Sequence, residues 1–284
     1  MKAPRYVSAD AITGKIVAAI GEMFWQTDPL LIKAIQISLE SETDPLARDI
    51  LKDIIRNSEI ANQEKIPTCQ DTGTLVVFVE YGTALHLGGA DLRMVIETAA
   101  AQAWRRFSLR DSIVSDPLRE REAVTMPLPV VLHTEMVPGD KLRFTMALKG
   151  GGAENMSTLK IFSPSASSDE IREFVVQAVV SAGGKPCPPL IVGVGIGGNF
   201  ENCALLAKKA LFRPLGEPNP QAAHAELERA ILDGINSRGT GPMGLGGKTT
   251  ALAVHVLTAP CHIASLPVAV NIQCHAHRHC EFVL

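Results

Sequence analysis

Apolar residues recur every three or four positions through "ADAITGKIVAAIGEMF" and "DPLLIKAIQISLESETDPLARDILKDIIRNSEIANQ". That spacing predicts helices from residue 9 to about 64. Asp28-Pro29 and Asp44-Pro45 each set a capping carboxylate before a first-turn proline, so two helix starts are predicted there. The pattern then shortens. "TLVVFVEYG" (74–82) reads as a strand ended by glycine, and "GADLRMVIETAAAQAWRRFSL" as a helix with an apolar stripe. "LPVVLHTEMVPGDKLRFTMALKGGG" reads as two strands around a Pro138-Gly139-Asp140 turn. Further on, "SASSDEIREFVVQAVVSAGG" and "PQAAHAELERAILDGINSRG" are helical. "PLIVGVGIGGNFENCALLAKKALF" reads as strand, glycine loop and helix, and "TTALAVHVL" and "SLPVAVNIQC" as the last strands. Strands alternating with helices, without a long linker or repeat, predict a single mixed α/β domain over residues 1–284. Residues 1–66 form its helical N-terminal portion and 67–284 its α/β core, with glycine-rich loops at strand ends.

Composition narrows the class. In 284 residues, 46% are hydrophobic, enough for a substantial core, and the formal net charge of −3 offers no electrostatic footprint for nucleic acid or an anionic membrane. The opening "MKAPRYVSADAITGK" lacks an apolar signal core, and no apolar run reaches the roughly 18 residues of a membrane span. A cytoplasmic chain without nucleic-acid or membrane partners is therefore expected.

Six cysteines lie at 69, 187, 203, 261, 274 and 280, with no close pair. This is neither a disulfide framework nor a zinc finger, and it leaves open a cofactor site assembled from distant segments. Three of them stand at predicted strand ends: Cys69 in "PTCQDTG", Cys187 in "KPCPPLIVGVG" and Cys274 in "VAVNIQCHAHRH". Open α/β sheets gather ligands at strand ends. The bland reading of each, a small buried hydrophobe, stands beside the ligand reading. Three thiolates can hold an iron–sulfur cluster with one iron left open, or zinc. The runs "LKGGGAENMS" and "GVGIGGNFEN" allow backbone amides to approach an anion, or helices to pack closely. The GxGxxG at Gly193, Gly195 and Gly198 lacks the acidic residue of a dinucleotide site, and "GPMGLGGKTT" has Pro242 where a phosphate loop needs glycine. Cys203 and Cys280 read as structural, Arg105, Arg106 and Arg110 as a solvated helix face, and His277 and His279 as a solvated tail.

Taken together, "IPTCQDTGT", "KGGGAENMSTLKIFSP", "KPCPPLIVGVGIGG", "GPMGLGGKTTALAVHV" and "HIASLPVAVNIQCHAHRH" resemble the α subunit, or N-terminal domain, of class I iron–sulfur hydro-lyases, the fumarate hydratase and L-tartrate dehydratase family. The resemblance covers about residues 10–280. It implies a 4Fe-4S cluster held by Cys69, Cys187 and Cys274, with the open iron as Lewis acid. It also implies Asp71 as acid/base, Gln70 and His262 orienting substrate carboxylates, and the Gly150-Gly151-Gly152 backbone around the bound acid. A β subunit with the swivelling domain is the implied partner, a small dicarboxylate the substrate, and an oligomer the assembly. The "GGGAENMSTLK" segment favours fumarate-to-malate hydration, the tricarboxylic acid cycle reaction. The stretch "REREAVTMPLPVV" departs from the Asn-Thr-Gly of fumarase relatives, which keeps L-tartrate, mesaconate or a non-catalytic cluster- or zinc-binding relative in view.

Overall fold

A computed structural model of the chain describes residues 5–124 and 128–284. Residues 1–4 of the opening stretch and 125–127 of the departing segment lie outside the described residues. The architecture is mixed α/β, and the chain divides into two compact units. The first comprises residues 1–27, 60–151 and 278–284, and the second residues 28–59 and 152–277.

The N-terminal helices occupy the stretch whose periodicity predicts them: α1 (Ala9–Trp25), α2 (Pro29–Ser41) and α3 (Pro45–Glu64). Their starts are set by side-chain caps. Asp28 accepts from the Leu30 N–H at 2.8 Å and Asp44 from the Ala47 N–H at 2.8 Å, satisfying donors that an open helix end would strand.

In the first unit, the short strands β1 (Arg5–Tyr6) and β3 (Leu85–His86) pair in parallel. The main sheet is built from β2 (Thr74–Gly82), β4 (Val131–Val137), β5 (Leu142–Lys149) and β10 (His279–Val283), in the order β10-β5-β2-β4. Period-two alternation turns Leu75, Val77 and Val79 of β2 into one core with Ile16, Ile20 and Phe24 of α1 and Ile96 and Trp104 of α4 (Leu92–Arg106). The two strands flanking the Pro138-Gly139-Asp140 turn form as the sequence predicts, yet they do not pair with each other. β2 lies between them, parallel to β4 and antiparallel to β5. The expected solvated tail is also overturned: His279 opens β10, which pairs antiparallel with β5, and His277 is buried. The alternating "HCEFV" is long enough to complete a ladder once a partner strand is present. Arg110 likewise leaves the expected helix face. α4 ends at Arg106, and the Arg110 carbonyl accepts from the Thr72 hydroxyl at 2.6 Å and the Trp104 indole at 3.3 Å.

In the second unit, β6 (Thr158–Phe162), β7 (Leu190–Gly197), β8 (Ala251–Ala259) and β9 (Leu266–Gln273) form a sheet in the order β6-β9-β7-β8. One face, with Val192, Val194, Val256 and Val270, packs on α6 (Ser168–Ala182) and α8 (Ala222–Arg238). Each such fully buried side chain contributes about 1.5–3 kcal/mol. The other face receives α7 (Phe200–Ala210) and residues Leu31, Ile35 and Leu51. There β7 presents Gly193 and Gly195. A Cβ on Gly193 would stand 2.0 Å from the Ala207 carbonyl, and one on Gly195 2.0 Å from that of Cys203. Of the two uses open for this glycine run, close helix–strand approach is the one built at these two positions.

Candidate active site

In the first unit three segments meet at one end of the sheet. The loop 68–73 leads into β2, the glycines at 150–151 follow β5, and Arg278 precedes β10. Registry brings them together, because Thr74 pairs with Lys149 and His279 with Ala147. Cys69 is half-buried and its thiol free, and Gln70 is exposed beside it. Asp71 turns back on the backbone: Oδ1 accepts from the Gly73 N–H at 2.9 Å and Oδ2 from the Gly151 N–H at 2.8 Å. Gly73 sits at φ +72°, the left-handed region that closes this turn, and a Cβ there would strike the Lys149 carbonyl at 2.5 Å. A Cβ on Gly150 would press on Asp71 Oδ2 at 3.1 Å, so the glycine at 150 lets the carboxylate pack against the turn. The short α5 (Gly151–Glu154) follows.

In the second unit Cys187 precedes β7 and Cys274 follows β9. These strands are antiparallel with Ile191 opposite Gln273, so the two cysteine segments emerge at the same sheet end. His275 ties them: its N–H donates to the Cys187 carbonyl at 3.3 Å, and its Nδ1–H donates to the same oxygen at 2.9 Å. Burial holds the His275 pKa below the ordinary imidazole value against the pull of the Cys187 and Pro188 backbone. The ring is therefore a neutral strut carrying its proton on Nδ1. Cys187 itself has φ +58°, a conformation that strains a residue with a Cβ and is concentrated at functional sites. Neither cysteine is in a disulfide, and both are half-buried. Behind Cys187 the loop 241–248 closes in, with the Met243 N–H donating to the Pro188 carbonyl at 2.9 Å. The buried Glu42 anchors that loop by accepting from the Lys248 N–H at 2.6 Å. Gly152 also belongs to this unit, where a Cβ would meet the Lys185 carbonyl at 3.1 Å.

His262 is not brought to these cysteines. It lies in the exposed loop between β8 and β9, at the opposite sheet end, its Nδ1 accepting from the Ala264 N–H at 3.1 Å. The eight residues of β9 separate that loop from Cys274, roughly 25 Å at strand rise. Cys203, buried in α7, and Cys280, in β10, behave as structural thiols. Burial raises the pKa of the first, and burial reinforced by Glu22 pushes the second up to about 12. Among the described residues no group of three His, Cys, Asp or Glu side chains is gathered tightly enough to hold one metal ion. A cluster makes no such demand, since each thiolate binds its own iron. Half-buried thiols outside any disulfide at strand ends, one held in a strained conformation, fit a soft-ligand cluster. Arg278 carried no sequence signal, because a cation within "HAHRH" reads as solvated.

A mixed α/β chain with half-buried thiols and a backbone-anchored carboxylate at strand ends has the donor set of a soft-ligand cofactor site. The sequence profile of the family described as "Fumarate hydratase (Fumerase)" matches residues 13–283. A provisionally named L(+)-tartrate dehydratase subunit alpha from Methanocaldococcus jannaschii is 37% identical over 274 residues, covering 93% of this chain and 95% of its own. The L(+)-tartrate dehydratase subunit alpha proteins of Escherichia coli strains UTI89 and K12 are each 31% identical over 241 residues, covering 84% of this chain and 79% of theirs. The chain belongs to the class I iron–sulfur hydro-lyase family, with the α-subunit architecture. Within the family, these named relatives favour the tartrate alternative over the fumarate preference drawn from "GGGAENMSTLK". Among the described residues no helix is long and apolar enough to cross a membrane.

Proposed function

We propose that this chain is the α subunit of a hydro-lyase acting on L(+)-tartrate, with a β subunit completing the active site. The observation that carries the substrate is the 37% identity, across nearly the whole of both chains, to a relative bearing that name. In the reaction a hydroxyl leaves one carbon of the 2,3-dihydroxy diacid and a proton leaves its neighbour. The resulting enol tautomerises to a 2-oxo diacid, and water is released. In this reading Cys69, Cys187 and Cys274 hold a 4Fe-4S cluster, which supplies an open Lewis-acidic iron for the departing hydroxyl.

The chain's own groups do the rest. Asp71, fixed by the Gly73 and Gly151 amides, is held as an oriented carboxylate that can pass a proton at the hydroxyl, an effect worth roughly 10²–10⁴-fold. Gln70, exposed next to the cluster ligand, offers a donor and an acceptor to a substrate carboxylate. In this reading the Gly150-Gly151-Gly152 backbone lies around the bound acid, while the Gly151 amide also serves Asp71 itself. His262 is left out of this constellation. The base that removes the carbon-bound proton is assigned to the β subunit.

The test is anaerobic co-expression with a β-type partner, followed by turnover assays on L(+)-tartrate, meso-tartrate, malate, fumarate and mesaconate. L(+)-tartrate is expected to turn over fastest. Preferred hydration of fumarate would restore the family's other reading. A bound cluster with no turnover on any diacid would favour a non-catalytic relative.

A further inference from the structure

Arg278 is 3% exposed, and its Nε and Nη1 are buried with no hydrogen-bond partner among the described residues. Guanidinium is permanently charged, so such a group is expected to have an anion beside it. Its flank is apolar on one side, with Cζ 5.4 Å over the Phe24 ring. On another side Nη2 lies 3.9 Å from the point that a Cβ on Gly150 would occupy, the point that Asp71 Oδ2 approaches to 3.1 Å. Among the described residues no hydrogen bond or ion pair joins Asp71 to Arg278; the Asp71 oxygens accept instead from the Gly73 and Gly151 amides. The main chain around Arg278 is fixed: its carbonyl accepts from the Leu148 N–H at 3.0 Å, and β10 begins at the next residue. A rigidly placed, buried cation thus stands beside the Gly150 turn on which the carboxylate of the Cys69-Gln70-Asp71 loop is anchored.

We propose that Arg278 is a substrate-binding residue that receives one carboxylate of the dicarboxylate beside Gly150 and Asp71. The inference rests on the hydro-lyase reading and adds a recognition element to it. A planar fork suits a carboxylate, and a dry setting over an aromatic ring strengthens the pairing. The arginine would separate diacids from monoacids of the same length, since a monoacid leaves the cation unpaired.

The experiment uses the anaerobically reconstituted chain with its β partner, comparing wild type with R278K, R278M and the surface control R106Q. Iron content and visible absorbance report the cluster, steady-state kinetics report KM and kcat, and thermal melting is followed with and without L(+)-tartrate. Wild-type cluster content is expected in all variants. R278M should raise KM for the diacid about 10- to 100-fold, the weight of a charge-assisted contact, with a smaller change in kcat. R278K should fall between, and R106Q should match wild type. Without ligand, R278M should melt at or above wild type, because an unpaired buried cation has been removed, while its tartrate-induced rise in melting temperature should disappear. An unchanged KM in R278M, a lower ligand-free melting temperature, or loss of the cluster would overturn the assignment in favour of a structural role. Absence of diacid binding by the wild-type holoprotein would instead sink the hydro-lyase reading, and this proposal with it.

Discussion

Glu42 holds the loop behind Cys187 from 206 residues away in sequence, and replacing it with glutamine isolates what that anchor contributes. Its carboxylate is 3% exposed. Oε1 accepts from the Thr43 N–H at 2.8 Å and the Asp44 N–H at 3.0 Å, and Oε2 from the Lys248 N–H at 2.6 Å. Glutamine can keep its oxygen toward Thr43 and Asp44, but then its NH₂ faces the Lys248 N–H, donor against donor. One buried donor left unmet costs about 1–3 kcal/mol, and weakening two charge-assisted bonds adds about 1 kcal/mol. The sum, about 2–4 kcal/mol, corresponds to a melting shift of roughly 3–7 °C for a chain of this size. The pH dependence has a definite sign. Burial raises the Glu42 pKa, but the backbone donors of Asp44, Lys248 and Thr43, with the Lys248 charge, outweigh it and bring the net value below the ordinary 4.5. A lowered folded-state pKa contributes stability above the unfolded value, and that contribution is lost as pH falls through the folded value. Scanning calorimetry of wild type and Glu42→Gln should therefore show the widest gap above about pH 5.5, narrowing below pH 4.5. A gap under about 1 °C at pH 7, against the shift worked out above, would refute the reasoning.

Gly195→Ala should lower stability by roughly 3 kcal/mol, the upper end for overpacking, because its Cβ would stand 2.0 Å from the Cys203 carbonyl and force α7 off β7; chemical denaturation measures it. Asp71→Asn should leave cluster absorbance intact and cut kcat about 10²–10⁴-fold, read by anaerobic turnover with the β partner. At pH 8, iodoacetamide should label the exposed Cys261 well before Cys280, whose thiol at about 12 is ionised to about one part in 10⁴; mass mapping of the modified peptides decides it.

Local chemistry was legible in the chain. The Asp28-Pro29 and Asp44-Pro45 signals start helices where the side chains cap them, and the apolar runs at 74–82, 190–197 and 266–273 are strands. Which strands neighbour which was not legible. β2 separates β4 from β5 through pairings set by the shared core rather than by the Pro138-Gly139 turn. The Cys69-Gln70-Asp71 loop stood out through its residue types. The anchoring of Asp71 on Gly151 and the His275 strut between two cysteine segments did not, since each depends on registry between strands far apart in sequence. His277 was misread, and Arg278 passed over, for one reason: polar side chains in a short run look solvated until the sheet that covers them is known.

The pairing of β10 with β5 also orders events during synthesis. Residues 278–284 complete the sheet that begins with β2 some two hundred positions earlier, while the second unit has all its segments once residue 277 has been made. Until those last residues dock, β5 waits with a bare flank. A nascent chain halted before Arg278 would expose that flank as a template for aggregation, so vectorial folding leaves the Asp71 side of the molecule to the end.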